Sequence, residues 1–266
     1  MFYYFGYGSN MDITSLRAKG VEPIRSEKAM LPGWRLRFNV AHFFRHEGGV
    51  GNIERSSNVE HTVLGVVHQC AAQHLAALDT TEACGHGYQR IEVSVHTANG
   101  PIKALAYVGM PSFIDDRSRP SQRYLNILLK GATAAALDSD YIATLREQPV
   151  LTRMPVPRFQ HPPGDYPIFT AEALAEDQRY TALDDAVFDL SEARPRHEFL
   201  KGFFGGKDMT LFHLKRMDSS DGSETLSSIR THPLTPEQRL YLDEYLHEYQ
   251  REYRYVGRFV PTYNHH

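Results

Sequence analysis

The stretch Phe2-Tyr3-Tyr4-Phe5-Gly6-Tyr7-Gly8-Ser9-Asn10-Met11 carries two signals. Residues 2–7 form an aromatic run that fits a pleated, buried strand, and Gly8, Ser9 and Asn10 are turn formers. A strand ending in small residues lets backbone N–H groups approach a ligand closely, where they can hold a carboxylate or a carbonyl oxygen that turns negative. The same residues also make an ordinary turn, so this stretch alone does not choose between the two. Further along, residues 34–38 alternate in polarity after the turn Pro32-Gly33, and residues 63–68 are a compact apolar run. Ile91, Val93 and Val95 alternate with Glu92 and Ser94, and residues 102–108 are again strand-like. Residues 71–78 have helical composition. Leu125, Leu128, Leu129, Ala132 and Ala136 recur at helical spacing behind the start signal Pro120-Ser121, which predicts the longest helix of the first half. The result is a strand-rich core with helices between, spaced too irregularly for propeller blades or a doubly wound sheet.

Composition narrows the classes. The 266 residues are about right for two domains of modest size. Hydrophobic residues make up 41% and charged residues 23%, the balance of a folded chain with a real core. A formal net charge of -3 argues against a broad phosphate-binding surface, which needs a clustered basic excess, so no nucleic-acid partner is expected. The first residues read as strand rather than as a basic start with an apolar core, and no run approaches the ~18 apolar residues of a membrane span. No membrane partner and a cytoplasmic location are the expectations. Cys70 and Cys84 are the only cysteines, without C-x-x-C spacing, so free thiols in a reducing compartment are expected.

Between residues 149 and 164 the composition shifts to Pro149, Pro155, Pro157, Pro162 and Pro163 with no apolar periodicity, the mark of a linker. The expected organisation is a first domain over 1–150, a proline-rich linker over 151–178 and a small α+β domain over 179–260. In that last part residues 186–190 are strand-like, Gly205-Gly206 marks a turn, and residues 218–228 are polar. Thr235-Pro236-Glu237-Gln238 is a capping box with proline at the first helical position, and Leu242, Tyr245, Leu246, Tyr249 and Tyr253 form one stripe behind it. A surface helix packed on the second domain is expected there. The terminal His265 and His266 are given no role.

The second chemical signal is Thr80-Thr81-Glu82-Ala83-Cys84-Gly85-His86-Gly87-Tyr88, between a helix and a strand. Glu82 is the only acid in a segment otherwise small, apolar or aromatic. Partial burial would raise its pKa and fit it for moving a proton near neutrality. A solvated loop glutamate is the competing reading.

The combination of motifs resembles the γ-glutamylcyclotransferases and their γ-glutamylamine-cleaving relatives, in order over most of residues 1–147. The matching pieces begin with the Tyr7-Gly8-Ser9-Asn10 turn, Leu31-Pro32-Gly33-Trp34-Arg35-Leu36 and Gly49-Val50-Gly51-Asn52-Ile53. They continue through Val63-Leu64-Gly65-Val66-Val67, Leu78-Asp79, Glu82 with Gly87-Tyr88, Pro120-Ser121 with Tyr124, and Gly131-Ala132. The resemblance implies an α+β fold with a small mixed β-barrel flanked by helices. It also implies Glu82 as general acid/base, with Tyr7, Gly8, Ser9, Asn10 and Tyr124 contacting a small-molecule γ-glutamyl substrate. In such a substrate the α-amine attacks its own γ-carbonyl, closing 5-oxoproline and expelling the attached amine, so neither an enzyme nucleophile nor a cofactor is called for. A catalytically inactive ligand- or partner-binding protein of the same fold is the alternative.

Weaker features complete the reading. His42 and His46 lack a third metal ligand nearby in sequence, and no H-E-x-x-H is present, so no metal is expected. Cys84 has no neighbour that obviously lowers its pKa and reads as a pocket wall rather than a nucleophile. Arg45, Arg90 and Arg123 are candidates to pair a substrate carboxylate. The C-terminal part, through Val187-Phe188-Asp189-Leu190-Ser191, Phe203-Phe204-Gly205-Gly206-Lys207-Asp208-Met209-Thr210 and Tyr255-Val256-Gly257-Arg258, loosely resembles a cytochrome b5-like domain of the membrane-associated progesterone-receptor type. Lys201 stands where that family has a haem-ligating tyrosine, and His161-Pro162-Pro163-Gly164 falls before the domain, so the expectation is a module without haem.

Overall fold

The computed structural model describes residues 1–260, so His265 and His266 lie outside the described residues. The chain divides into two compact units, Met1–Arg153 and a second beginning at Met154.

The first unit starts with β1 (Phe2–Gly6), a short α1 (Ile13–Arg17), β2 (Pro23–Pro32), β3 (Trp34–Ala41), β4 (Gly49–Arg55) and β5 (Thr62–Cys70). It continues with α2 (Leu75–Thr81), β6 (Tyr88–Thr97), β7 (Gly100–Gly109), α3 (Gln122–Ala134) and α4 (Ser139–Arg146). Five strands close into a barrel in the order β1-β5-β2-β6-β7, while β3 and β4 form a separate antiparallel ribbon. The barrel is mixed, because β1 meets β5 antiparallel and β7 parallel. This is the small mixed barrel flanked by helices of the α+β class. Period-two alternation builds its interior: Phe5 and Tyr7 from the first strand and its end, Val63 and Val67, Val93 and Val95, and Ala104 and Ala106 share one buried cluster. Val66, on the opposite face of β5, packs outward with Leu125, Leu128 and Ala132 of α3. The N-cap of that helix is Ser121, whose side chain accepts from the Tyr124 N–H, so the start signal in the sequence also fixes where Tyr124 sits.

Close to this helix start lies a buried ion pair. Glu47 is 1% exposed; Arg123 Nη2 is 2.5 Å from its Oε2, and Ser121 Oγ donates to the same oxygen at 3.1 Å. Burial pushes the Glu47 carboxyl up, but the Arg123 guanidinium, helped by His46 and His42, outweighs it and holds the group well below the usual carboxylate range.

The second unit runs β8 (Ile168–Phe169), α5 (Ala171–Glu176), β9 (Tyr180–Leu183), β10 (Ala186–Asp189) and α6 (Glu198–Phe204). It ends with β11 (Lys207–Asp208), α7 (Thr210–Leu214), α8 (Leu226–Thr231), α9 (Pro236–Glu252) and β12 (Arg254–Phe259). Its sheet has the order β11-β9-β10-β12-β8. Residues 168–176, expected within the proline-rich linker, form β8 and α5 instead. A two-residue strand is too short to show alternation, and α5 is started by the Thr170 side chain accepting from Ala173 N, a signal that proline counting overlooks. The capping box at Thr235 is present as read, but α9 buries Asp243 and Glu248 as well as Leu242, Tyr245, Leu246 and Tyr249. Its polar face is therefore not a purely solvated one: Asp243 accepts from Phe159 N at 3.2 Å, and Glu248 pairs with Arg251 at 2.5 Å. Lys201 donates to the Ser191 carbonyl, and His161 sits between Tyr255 Oη and Asp185 Oδ2, each at 3.0 Å.

No helix among the described residues is long and apolar enough to cross a membrane, and no group of three or more His, Cys, Asp or Glu among them could hold a metal ion.

Candidate active site

Glu82 is the residue that ends α2. Its backbone N–H closes on Leu78 O at 2.9 Å, and the chain then leaves the helix through Ala83, whose φ of 49° is left-handed. This turn brings the carboxylate to the mouth of a cleft lined by Tyr4, Tyr7, Gly8, Ser9, Asn10, Gly51, Glu82, Tyr88, Tyr107 and Tyr124. All six residues singled out in the sequence, Tyr7, Gly8, Ser9, Asn10, Glu82 and Tyr124, therefore meet in one place. Tyr4, Tyr88 and Tyr107 complete the wall; of these the sequence singled out only Tyr88, as part of the Gly87-Tyr88 motif. The cleft-lining side chains include one carboxylate and no cation.

The Glu82 carboxylate is held from two sides. Asn10 Nδ2 donates to Oε1 at 2.8 Å and also to Tyr4 Oη at 2.7 Å. Lys19 Nζ reaches the same Oε1 at 2.7 Å, and the Lys19 and Glu82 side chains are only 5% and 13% exposed. Burial does not act on Glu82 alone, as the sequence reading assumed; a buried ammonium in contact favours the ionised carboxylate and opposes it. Nothing in the sequence marks Lys19, which stands 63 residues from Glu82 and reads as an ordinary basic residue behind a short helix.

Besides Tyr4, whose Oη accepts from Asn10 Nδ2, the other four phenols divide by what their hydroxyls do. Tyr7 Oη donates to the Tyr107 carbonyl, Tyr88 Oη to the Gly51 carbonyl at 2.7 Å and Tyr107 Oη to Asp79 Oδ1 at 2.6 Å. Tyr124 Oη instead accepts, from Gly51 N at 2.9 Å and from the Ser9 backbone N–H. Gly8 and Gly51 make that approach possible: a Cβ at either position would lie 2.8 or 2.9 Å from Tyr124 Oη. Burial pushes the Tyr124 phenol up to about 12 against those two bonds, and burial likewise raises Tyr4, Tyr7, Tyr88 and Tyr107, so all five are neutral donors near pH 7. Asn10 Oδ1 is buried with no hydrogen-bond partner in the protein, an acceptor that a ligand donor would satisfy.

The loop that presents Asn10 is pinned from behind by His68. Its Nε2 donates to the Asn10 carbonyl at 2.9 Å, which leaves Nδ1 to accept from Ser26 Oγ at 2.8 Å. Burial outweighs that carbonyl bond and pushes the imidazole down to about 4. The unfolded chain binds this proton near pH 6.5 and the folded one does not, so stability falls as pH drops from about 6.5 to about 4. Over the whole window the loss attributable to His68 is roughly 3 kcal/mol. Urea unfolding at a series of pH values should show that slope in the wild type and a flatter one in His68→Gln; equal slopes would place the acid sensitivity elsewhere.

The three candidate arginines lie outside the cleft lining, and so does Cys84, which was expected as a pocket wall. Arg123 is committed to Glu47 and Arg90 to Asp79, and Arg45 is exposed. Cys84 is half-buried beside the turn, bridged in backbone to Tyr88.

The closed five-stranded barrel flanked by helices, with a glutamate and the 7–10 loop at one tyrosine-walled cleft, resembles the γ-glutamyl-cyclotransferase-like fold. Residues 62–145 match the AIG2-like family. Among curated proteins, the γ-glutamyl cyclotransferase gliK of Claviceps purpurea (strain 20.1) is 28% identical over 142 residues, which cover 51% of this chain and 64% of that protein. The match thus spans less than two thirds of the relative's length. Among solved structures, one named γ-glutamyl cyclotransferase is 25% identical with a TM-score of 0.50, and an uncharacterised protein from Homo sapiens is 27% identical with a TM-score of 0.50. Each covers 57% of this chain and 90% of its own.

Proposed function

We propose that the protein converts a γ-glutamyl amide to 5-oxoproline and a free amine, with Glu82 as the proton carrier. The observation that carries this reading is the position of Glu82, a mostly buried carboxylate at the cleft that also holds the 7–10 loop. The names of the relatives support the same class of reaction. The substrate is folded so that its α-nitrogen lies against its own γ-carbonyl, which turns a bimolecular acyl transfer into an intramolecular one.

Glu82 removes a proton from the α-ammonium, and the freed amine adds to the γ-carbon. The carbonyl electron pair moves to oxygen and returns as the bond to the leaving nitrogen breaks. In becoming an amide N–H the α-nitrogen gives up two protons, and in leaving as an ammonium the expelled nitrogen gains two. One carboxylate that accepts and returns a proton at each exchange therefore ends as it began. The unpartnered Asn10 Oδ1 receives the α-ammonium beside Glu82. Tyr124 supplies the donor for the oxyanion: its oxygen accepts two backbone N–H groups, which leaves its own O–H to donate to the substrate.

The test is 5-oxoproline release by the purified protein from γ-glutamyl amino acids, γ-glutamyl amines and glutathione, with chelator present. Product from at least one class is expected, and the preferred one identifies the leaving group. A folded wild type that is silent across all of them would count against the reading.

A further inference from the structure

Lysine is among the side chains least often buried, yet Lys19 is 8% exposed as a whole residue. Its position is built rather than incidental. Lys19 N bonds Leu16 O at 3.1 Å and Gly20 N bonds Arg17 O at 2.9 Å, closing a turn after α1 in which Gly20 takes a φ of +76°. His74, at the start of α2, donates from Nδ1 to the Gly20 carbonyl at 3.1 Å. The end of α1 is thus fastened to the helix whose far end carries Glu82. Lys19 is not among the residues lining the cleft, and its ammonium meets Glu82, which is.

Resting on the proposed role of Glu82, we infer that Lys19 is a positioning residue for it: the buried ammonium keeps Glu82 a carboxylate and, with Asn10, fixes Oε1. The reason is electrostatic. A carboxylate placed alone among five phenols prefers its neutral form, in which it cannot take the proton of a substrate ammonium. The groups facing Glu82 are Tyr4 and Tyr7 from β1 and its end, Tyr88 from β6, Tyr107 from β7, Tyr124 from α3, Asn10 from the loop and Lys19. Behind them, Asp79 of α2 and Arg90 of β6 are paired with each other, His68 of β5 is neutral against the Asn10 carbonyl, and Cys84 and His86 lie in the following turn. Lys19 places a cation in direct contact with the carboxylate.

The experiment is a 13C NMR titration of carboxyl-labelled full-length protein, with the Glu82 signal assigned by its absence from Glu82→Gln. In Lys19→Met, and in Lys19→Gln should the methionine variant not fold, the midpoint of the Glu82 titration is expected to rise by about one pH unit or more. Lys19→Arg should restore it. Where 5-oxoproline is formed, the acidic limb of kcat/KM should move up by the same amount, with at least a tenfold loss of kcat below that limb and little change in KM. A Glu82 midpoint unchanged in the lysine variants overturns the inference, whether or not activity falls. Because the titration needs no turnover, that result is separable from a failure of the cyclotransferase reading, which would show as no product from wild type or equal product from Glu82→Gln.

Discussion

Glu82→Gln is expected to bind a γ-glutamyl compound while its kcat falls by a factor of about 10² to 10⁴. The amide keeps the volume and one acceptor oxygen, so the bonds from Asn10 Nδ2 and Lys19 Nζ can persist. On the proposed role of Glu82, what is lost is the ability to take a proton from the α-nitrogen and return it to the leaving nitrogen. An interaction used only during reaction lowers kcat and kcat/KM together and leaves ground-state binding in place. The substitution also removes the counter-charge of a buried ammonium, so some stability is lost as well. The double substitution Glu82→Gln with Lys19→Met should recover that stability without recovering turnover. Ligand affinity by calorimetry, kcat by product release and Tm by scanning fluorimetry separate these effects. Near-wild-type turnover in Glu82→Gln would falsify the assignment.

The largest stability effect is expected at Glu47. Glu47→Gln keeps shape but leaves the Arg123 guanidinium, itself only 18% exposed, without its carboxylate. Breaking a buried pair from one side costs about 3–5 kcal/mol, which for a unit of this size lowers Tm by on the order of 10 °C. The effect should spread to the site, because Glu47 also accepts from Ser121, the cap of the helix that carries Tyr124 in its first turn. The pH dependence has a definite sign. The folded carboxyl titrates well below the unfolded value near 4.5, so its contribution is complete above about 4.5 and is lost as pH falls through the folded value. The variant should therefore lose part of the acid-induced destabilisation seen in the wild type. A Tm within a degree or two of wild type would show that the pair contributes little.

How much of this could be read beforehand depends on whether the signal was local. The Ser121 and Thr235 caps are written in consecutive residues and each is where the sequence puts it, while β1 ends at Gly6, one residue before the end of the aromatic run. Glu82 stood out because its neighbours are small or aromatic. Strand β2 was not legible: of Pro23–Pro32 only Ala29 and Leu31 are buried, so the alternation that marks a strand is missing over most of its length. Barrel closure depends on pairings such as Tyr4 with Leu105 and Met30 with His96, which no local pattern records. Lys19 and Tyr107 were missed for the same reason, since a lysine after a helix and a tyrosine in a strand look ordinary until folding brings them to the site. Arg123 illustrates the converse. Its residue type suited a substrate carboxylate, but Glu47 lies within its reach and at the end of a different segment.

The most direct test of intramolecular cyclisation is to run the reaction in H2 18O and analyse the acyl product by mass spectrometry. On the proposed mechanism 5-oxoproline without 18O is expected, because the attacking atom would be the substrate's own nitrogen and no water would add to the γ-carbon. Glutamate carrying one 18O would mean hydrolysis and would contradict it.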